Sequence, residues 1–146
     1  GQKRQSASVF IIDNVAYIGL GIHNGAYEED FYSFNGSTWT RLQDLDDDDD
    51  DDDDFEILLS SGAAFSLDGL GYVTTGISGS ITTESWSYNP ATDTWEDLPA
   101  FEGSARQNAS AFSFADKAFV LMGRSGSYYF DDVWEFRPNE LENEDD

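Results

Sequence analysis

Three stretches of this chain spell the same short strand, and that internal repetition restricts the fold more than any other feature. Gly71-Tyr-Val-Thr-Thr-Gly76 aligns with Ala16-Tyr-Ile-Gly-Leu-Gly21 and with Ala118-Phe-Val-Leu-Met-Gly123, each a β-rich run ending in glycine. Upstream, Ala64-Phe-Ser66 matches Ala111-Phe-Ser113 and, more loosely, Val9-Phe-Ile11, which places a second strand one short polar turn earlier. Downstream, Glu84-Ser-Trp-Ser-Tyr88, Asp132-Val-Trp-Glu-Phe136 and Asp30-Phe-Tyr-Ser-Phe34 set aromatic residues at alternate positions. Period-two alternation marks a strand, with Tyr32, Trp86 and Trp134 on one face. Trp39 and Trp95 each open a fourth strand after turns reading Asn35-Gly-Ser-Thr38 and Asn89-Pro-Ala-Thr-Asp-Thr94, since Asn-Gly and Asn-Pro pairs favour turns. One such unit cannot bury its apolar face alone, so repetition implies stacking.

The spacing is uneven in one place. Tyr17 and Tyr72 are 55 residues apart, whereas Tyr72 and Phe119 are 47 apart. Trp39 to Phe65 covers 26 residues against 17 from Trp95 to Phe112, and the difference of nine is the length of an uninterrupted aspartate run at 46–54. Removing the run restores the period to within one residue, so it reads as an insertion in a loop between repeats. The chain divides accordingly into a first unit at 1–45, the insertion at 46–54, a second unit at 55–101 and a third, incomplete unit with an acidic tail at 102–146.

Four antiparallel strands per unit, a period close to 50 and no helical pattern read as blades of a β-propeller. Tyr88-Asn-Pro-Ala-Thr-Asp-Thr-Trp95, together with Ala64-Phe-Ser-Leu-Asp-Gly69 and Gly71-Tyr-Val-Thr-Thr-Gly76, resembles the Kelch repeat family, bacterial Kelch-type repeats in particular, over most of residues 8–138. The chain departs from the pattern where Leu20, Thr75 and Met122 precede the glycine of the usual glycine pair, and where Asn143 stands in place of a closing tryptophan. The resemblance implies an all-β fold of three four-stranded antiparallel blades, eleven of whose strands are clear in the sequence. Closed propellers run from about four to eight blades, so three blades make a partial ring or half-propeller. Three arrangements satisfy this: a piece of a longer Kelch chain, half of a six-bladed ring made by self-association, or an open stack capped by a partner.

Composition narrows the function. The 146 residues are 39 % apolar and 15 % aromatic, enough for a core, so wholesale disorder is not expected. Seven Lys and Arg face thirty Asp and Glu, a net charge of −23, or −14 without the aspartate run. Neither value suits a phosphate backbone or an anionic membrane, so neither nucleic acid nor membrane insertion is expected. Without cysteine, and with His23 as the single histidine, thiolate and multi-histidine metal sites are ruled out and no cofactor is expected. No stretch approaches the roughly 18 apolar residues of a membrane helix, and the polar, basic start of the chain shows no uncleaved signal peptide. Acidity with abundant Asn, Ser, Thr, Gly and aromatics fits an extracellular, periplasmic or cell-surface protein.

Function on repeat scaffolds of this kind sits on rim loops. The connections between the second and third strands, residues 22–29, 77–83 and 124–130, offer His23, Asn24, Tyr27, Ser78, Ser80, Arg124, Ser127, Tyr128 and Tyr129, and the inter-unit linkers add Arg106 and Gln107. Tyr and Arg join contact area to a polar tip, as interface hot spots do. Phe65, Phe112, Phe114 and the tryptophans are expected in the core. The acids just before the third strand, Asp30 and Asp132 among them, are expected in turn or edge roles. His23 is the one conventional general base near neutral pH, and no Ser or Cys partner accompanies it by spacing, so no catalytic role is expected. The copper oxidases among Kelch folds use a cysteine and several histidines, which this chain lacks. The reading is a non-catalytic protein-interaction or scaffold module, engaging a protein partner or itself through open blade faces. The alternative is a glycan-binding or sugar-processing propeller, epimerase- or sialidase-like, once its ring is completed. Mutual repulsion should keep the aspartate run a solvated loop, with weak Ca²⁺ capture or contact with a basic partner as the alternatives.

Overall fold

The structure is a computed structural model and describes residues 2–46 and 56–138. Among these residues there is no helix, and every strand pairing is antiparallel. The first unit holds β1 (Ser8–Ile12), β2 (Val15–Gly19), β3 (Ile22–His23), β4 (Ala26–Tyr27), β5 (Tyr32–Phe34) and β6 (Trp39–Arg41). The second holds β7 (Ala63–Leu67), β8 (Leu70–Thr74), β9 (Ile77–Ser78), β10 (Ser80–Ile81), β11 (Ser85–Asn89) and β12 (Thr94–Leu98), and the third β13 (Ser110–Phe114), β14 (Lys117–Leu121), β15 (Arg124–Ser125), β16 (Tyr128–Tyr129) and β17 (Val133–Phe136). The larger sheets are ordered β1-β2-β5-β6, β7-β8-β11-β12 and β13-β14-β17, which are the eleven strands expected from the repeats. A fourth strand of the third unit, with the position of Asn143, lies outside the described residues.

The loops expected between second and third strands are themselves paired, as the two-stranded hairpins β3-β4, β9-β10 and β15-β16. The first turns at Asn24 and Gly25, both left-handed at φ 51° and 82°, the pair that a tight type I′ turn requires.

Each unit opens with a stacked cross-strand aromatic pair. Phe10 opposes Tyr17, Phe65 opposes Tyr72 and Phe112 opposes Phe119, with ring centroids 5.7, 5.2 and 5.2 Å apart. The following unit lays its own aromatics over that pair. Tyr88 of the second unit lies 6.0 Å from Phe10 and 5.3 Å from Tyr17, with Trp95 6.1 Å from Phe10. Phe136 of the third lies 5.1 Å from Phe65 and 5.9 Å from Tyr72. Two buried clusters result, one joining units one and two through Phe10, Phe31, Leu45, Tyr88 and Trp95, the other joining units two and three through Phe65, Tyr72, Phe101 and Phe136. Each buried aromatic contributes about 1.5–3 kcal/mol.

The same rule overturns the assignment of Phe112, Phe114 and Trp39 to the core: they are 47 %, 72 % and 57 % exposed. Phe112 and Phe114 stand on the face that a following unit would cover, and Trp39 on the face that a preceding unit would. Alternation chose the right face in each case, but no neighbour within the described residues occupies it.

Backbone bonds repeat with the side chains. Leu20, Thr75 and Met122 all adopt left-handed φ, at 61°, 62° and 60°, followed by Gly21, Gly76 and Gly123 at 88°, 100° and 88°. The three turns thus share one left-handed pair whose first member is not glycine. Gly21 N–H donates to Leu59 O and Gly76 N–H to Arg106 O, both at 2.8 Å, so the turn of one unit grips the linker into the next. Ser61 N–H donates to Ser6 O at 3.1 Å and Asn108 N–H to Ser61 O at 3.0 Å, a second line across the same junctions. Of the aspartate run only Asp46 is described, so its reading as a solvated insertion lies outside the described residues. The base of that loop is closed by Ile57 N–H donating to Leu45 O at 2.9 Å and by the pairing of Asp46 with Glu56.

Candidate interaction surface

The linkers and hairpins form one continuous edge. Gln5 pairs with Ile22, Ser60 with Ile77 and Gln107 with Arg124, so each linker extends the hairpin of its own unit. The Gly21 and Gly76 bonds join each hairpin to the following linker. Tyr27, on β4, accepts a hydrogen bond at its Oη from Gly79 N–H of the neighbouring hairpin at 2.8 Å.

Along this edge the candidates named from sequence take different roles. Asn24 is the turn former of the first hairpin, and Tyr27 is a tie between two hairpins. His23 is half-buried, its Nδ1 3.6 Å from Glu28 Oε1. Ser78 is half-buried in β9, while Ser80 and Ser127 are exposed. Arg124 donates from its Nη1 to Gly126 O at 3.3 Å, and Gln107 supports it from the linker. Tyr128 and Tyr129 are the most open aromatics of the edge, 63 % and 72 % exposed. Behind them Tyr128 meets Phe130 edge-on at 5.0 Å.

Arg106 is not a surface contact residue. Its side chain is fully buried, with the guanidinium 4.0 Å from the Phe130 ring centre and 5.2 Å from that of Phe101. It donates to Ser104 O at 3.0 Å and Met122 O at 2.9 Å, and grips both oxygens of Asp132 at 2.5 and 2.8 Å. A planar guanidinium meets a carboxylate bidentately and stacks on rings, so burial here is supported by both. Arg4 repeats the arrangement in the first unit, bonding Leu20 O at 3.2 Å, Asp30 O at 3.3 Å and the Asp30 carboxylate. Asp30 and Asp132, expected in turn or edge roles, are therefore anchors of the linker.

Hydrogen bonding to Arg106 holds the Asp132 carboxyl down at about 2, helped by Trp134 Nε1–H at 2.8 Å. Burial alone would raise Asp30, but its bond and charge contact with Arg4 outweigh that, and its pKa is lowered. A carboxyl that ionises more readily folded than unfolded stabilises the fold above its unfolded pKa, 3.8 for Asp132, and loses that contribution as pH falls toward about 2. Asp132→Asn is therefore expected to lower the melting temperature near neutrality and to flatten its fall between these two values. Thermal melts across that acid range check this, and parallel profiles for the two proteins would contradict it.

An acidic cleft of about 580 Å³ lies beside the first hairpin, lined by Tyr27, Glu28, Glu29, Asp30, Arg41 and Asp44 among others. Its carboxylates are engaged: Asp44 with Arg41 at 2.8 Å, Asp30 with Arg4, and Glu28 with His23. No metal-holding group of three His, Cys, Asp or Glu occurs among the described residues. No family model matches the chain, and comparison with characterised proteins finds no match either.

Proposed function

We propose that the chain is a segment of a Kelch-type β-propeller, its three units three blades, acting as a non-catalytic protein-interaction module through the hairpin edge. The observation that carries this reading is the hydrogen-bonded line of linkers and hairpins with Tyr128 and Tyr129 standing open at its end. A surface held by its own backbone loses little entropy on binding, and exposed tyrosines beside an arginine supply the amphipathic contact area that interfaces use. His23, the single histidine, faces the Glu28 carboxylate and not a nucleophile.

Replacing Arg124, Tyr128 and Tyr129 with Ala removes contact area without touching the buried clusters. Stability should stay within about 1 kcal/mol of the parent, as surface changes do. Capture of a partner from the native source should be lost. Capture that survives the triple change, or no capture by the parent, would overturn the reading. Competition by free sugars would favour the glycan alternative instead.

A further inference from the structure

We propose that the open face of the third unit is closed by the first unit of a second copy of this chain, head to tail, so that two copies complete a ring of six units. This rests on the propeller reading above and adds the occupant of the two exposed faces.

Both junctions inside the chain obey one rule, and the open faces of the first and third units are its two unmatched halves among the described residues. At each junction the earlier unit supplies a stacked aromatic pair and a left-handed glycine amide. The later unit supplies the aromatic that covers the pair, a linker carbonyl and a linker amide, and at the first junction Trp95 as well. Phe34 and Trp39 hold in the first unit the register positions of Tyr88 and Trp95 in the second. Among the described residues no unit lies against them; they stack on each other at 4.6 Å, and Trp39 is 57 % exposed. Phe112 and Phe119 are the uncovered pair at the other end, beside Gly123, whose conformation matches Gly21 and Gly76. The backbone groups correspond as well: Gly123 N–H would meet Arg4 O of the second copy, and that copy's Ser6 N–H would meet Asn108 O. Ser6 already has φ 58°, against 56° at Ser61 and 55° at Asn108. The third unit thus carries the groups of a junction that no described residue completes.

The first unit also holds an apolar cavity of about 380 Å³ lined by Gln2, Arg4, Ala7, Ile18, Tyr32 and Trp39. In the second unit the matching positions include Leu59, Val73 and Trp95, which gather with Phe31 of the first unit in a buried cluster, Phe31 lying 5.3 Å from Trp95. Val133 holds the position of Phe31 in the third unit and is 59 % exposed. It is the side chain that the cavity would receive. A head-to-tail contact either closes into a ring or grows without end, and six units lie within the range of about four to eight in which such rings close. A chain of net charge −23 repels its copy, so this pairing must be driven by apolar burial and should tighten as salt screens the repulsion.

Sedimentation and native mass spectrometry of the 146-residue chain test this with Phe114→Glu, which spoils only the third unit's face, and Trp39→Glu, which spoils only the first unit's. Both residues are open in the single chain, so circular dichroism should be unchanged. The parent should be a dimer at micromolar concentration and tighter at raised salt. Each variant alone should weaken pairing by at least about thirtyfold. An equimolar mixture should recover a heterodimer, because one intact junction remains between Trp39→Glu and Phe114→Glu chains. A monomeric parent, a ladder of higher species, or a dimer lost with Phe114→Glu but kept with Trp39→Glu would overturn the proposal. A monomer that still captures its partner through Tyr128 and Tyr129 would overturn the pairing alone, and a dimer that captures nothing would overturn the interaction reading alone.

Discussion

Gly76→Ala is expected to cost about 2–5 kcal/mol. A methyl group at this position would lie 2.5 Å from Ser60 O and 2.8 Å from the backbone of Gly62, and the φ of 100° is one that L residues rarely adopt. The left-handed conformation costs an L residue roughly 1–2 kcal/mol and forced overpacking about 1–3 kcal/mol more. Neither neighbour can swing aside, since both are backbone. Relief by shifting the turn would break the bond from Gly76 N–H to Arg106 O, which holds the third unit to the second. Gly79→Ala is the control: its φ is also left-handed, at 72°, but nothing lies within 4 Å, so only about 1 kcal/mol should be lost. Urea unfolding of both variants measures the difference, and equal losses would contradict the role given to the junction.

Much of this arrangement was legible in the sequence because it is local. Period-two aromatics, glycine-ended strands and Asn-Gly turns identify the eleven strands of the larger sheets and their antiparallel order. Asn35 shows why such signals are dependable, since its Oδ1 accepts from Ser37 N–H at 3.0 Å and Thr38 N–H at 2.9 Å within four residues. Burial was less legible. Alternation tells which way Phe65 and Phe112 point, and both point the same way, but only the neighbouring unit decides that one is buried and the other open.

The exposure of the candidate residues is legible only in part. The exposed tyrosines were found by residue type, whereas Arg106 looked like a rim residue because charged residues in linkers usually are. Its burial depends on Phe101, Phe130 and Asp132, all brought in by the fold. A signal for it was present. Arg4 and Arg106 each precede a glutamine and each reach an aspartate 26 residues on, Asp30 and Asp132. The second unit breaks the pattern, with Leu59 in the place of the arginine and Glu84 in that of the aspartate, and Leu59 is buried in the apolar cluster instead. With the pair present in only two of three units, spacing alone carries a weak signal for it.

One junction is repeated along the chain, and its last face stands open among the described residues. Alanine at the three equivalent phenylalanines tests this most directly, by denaturant unfolding at concentrations low enough to keep copies apart. Phe10 packs against Tyr17, Phe31, Tyr88 and Trp95 and lies on Gly71, while Phe65 packs against Tyr72 and Phe136; both are 4 % exposed. Emptying either site should cost about 3–5 kcal/mol, the usual loss for a buried phenylalanine. Phe112 keeps one stacking partner, Phe119, so Phe112→Ala should cost at most about 1 kcal/mol. Three losses of equal size would contradict the account, since they would mean that the third face is already covered within the chain.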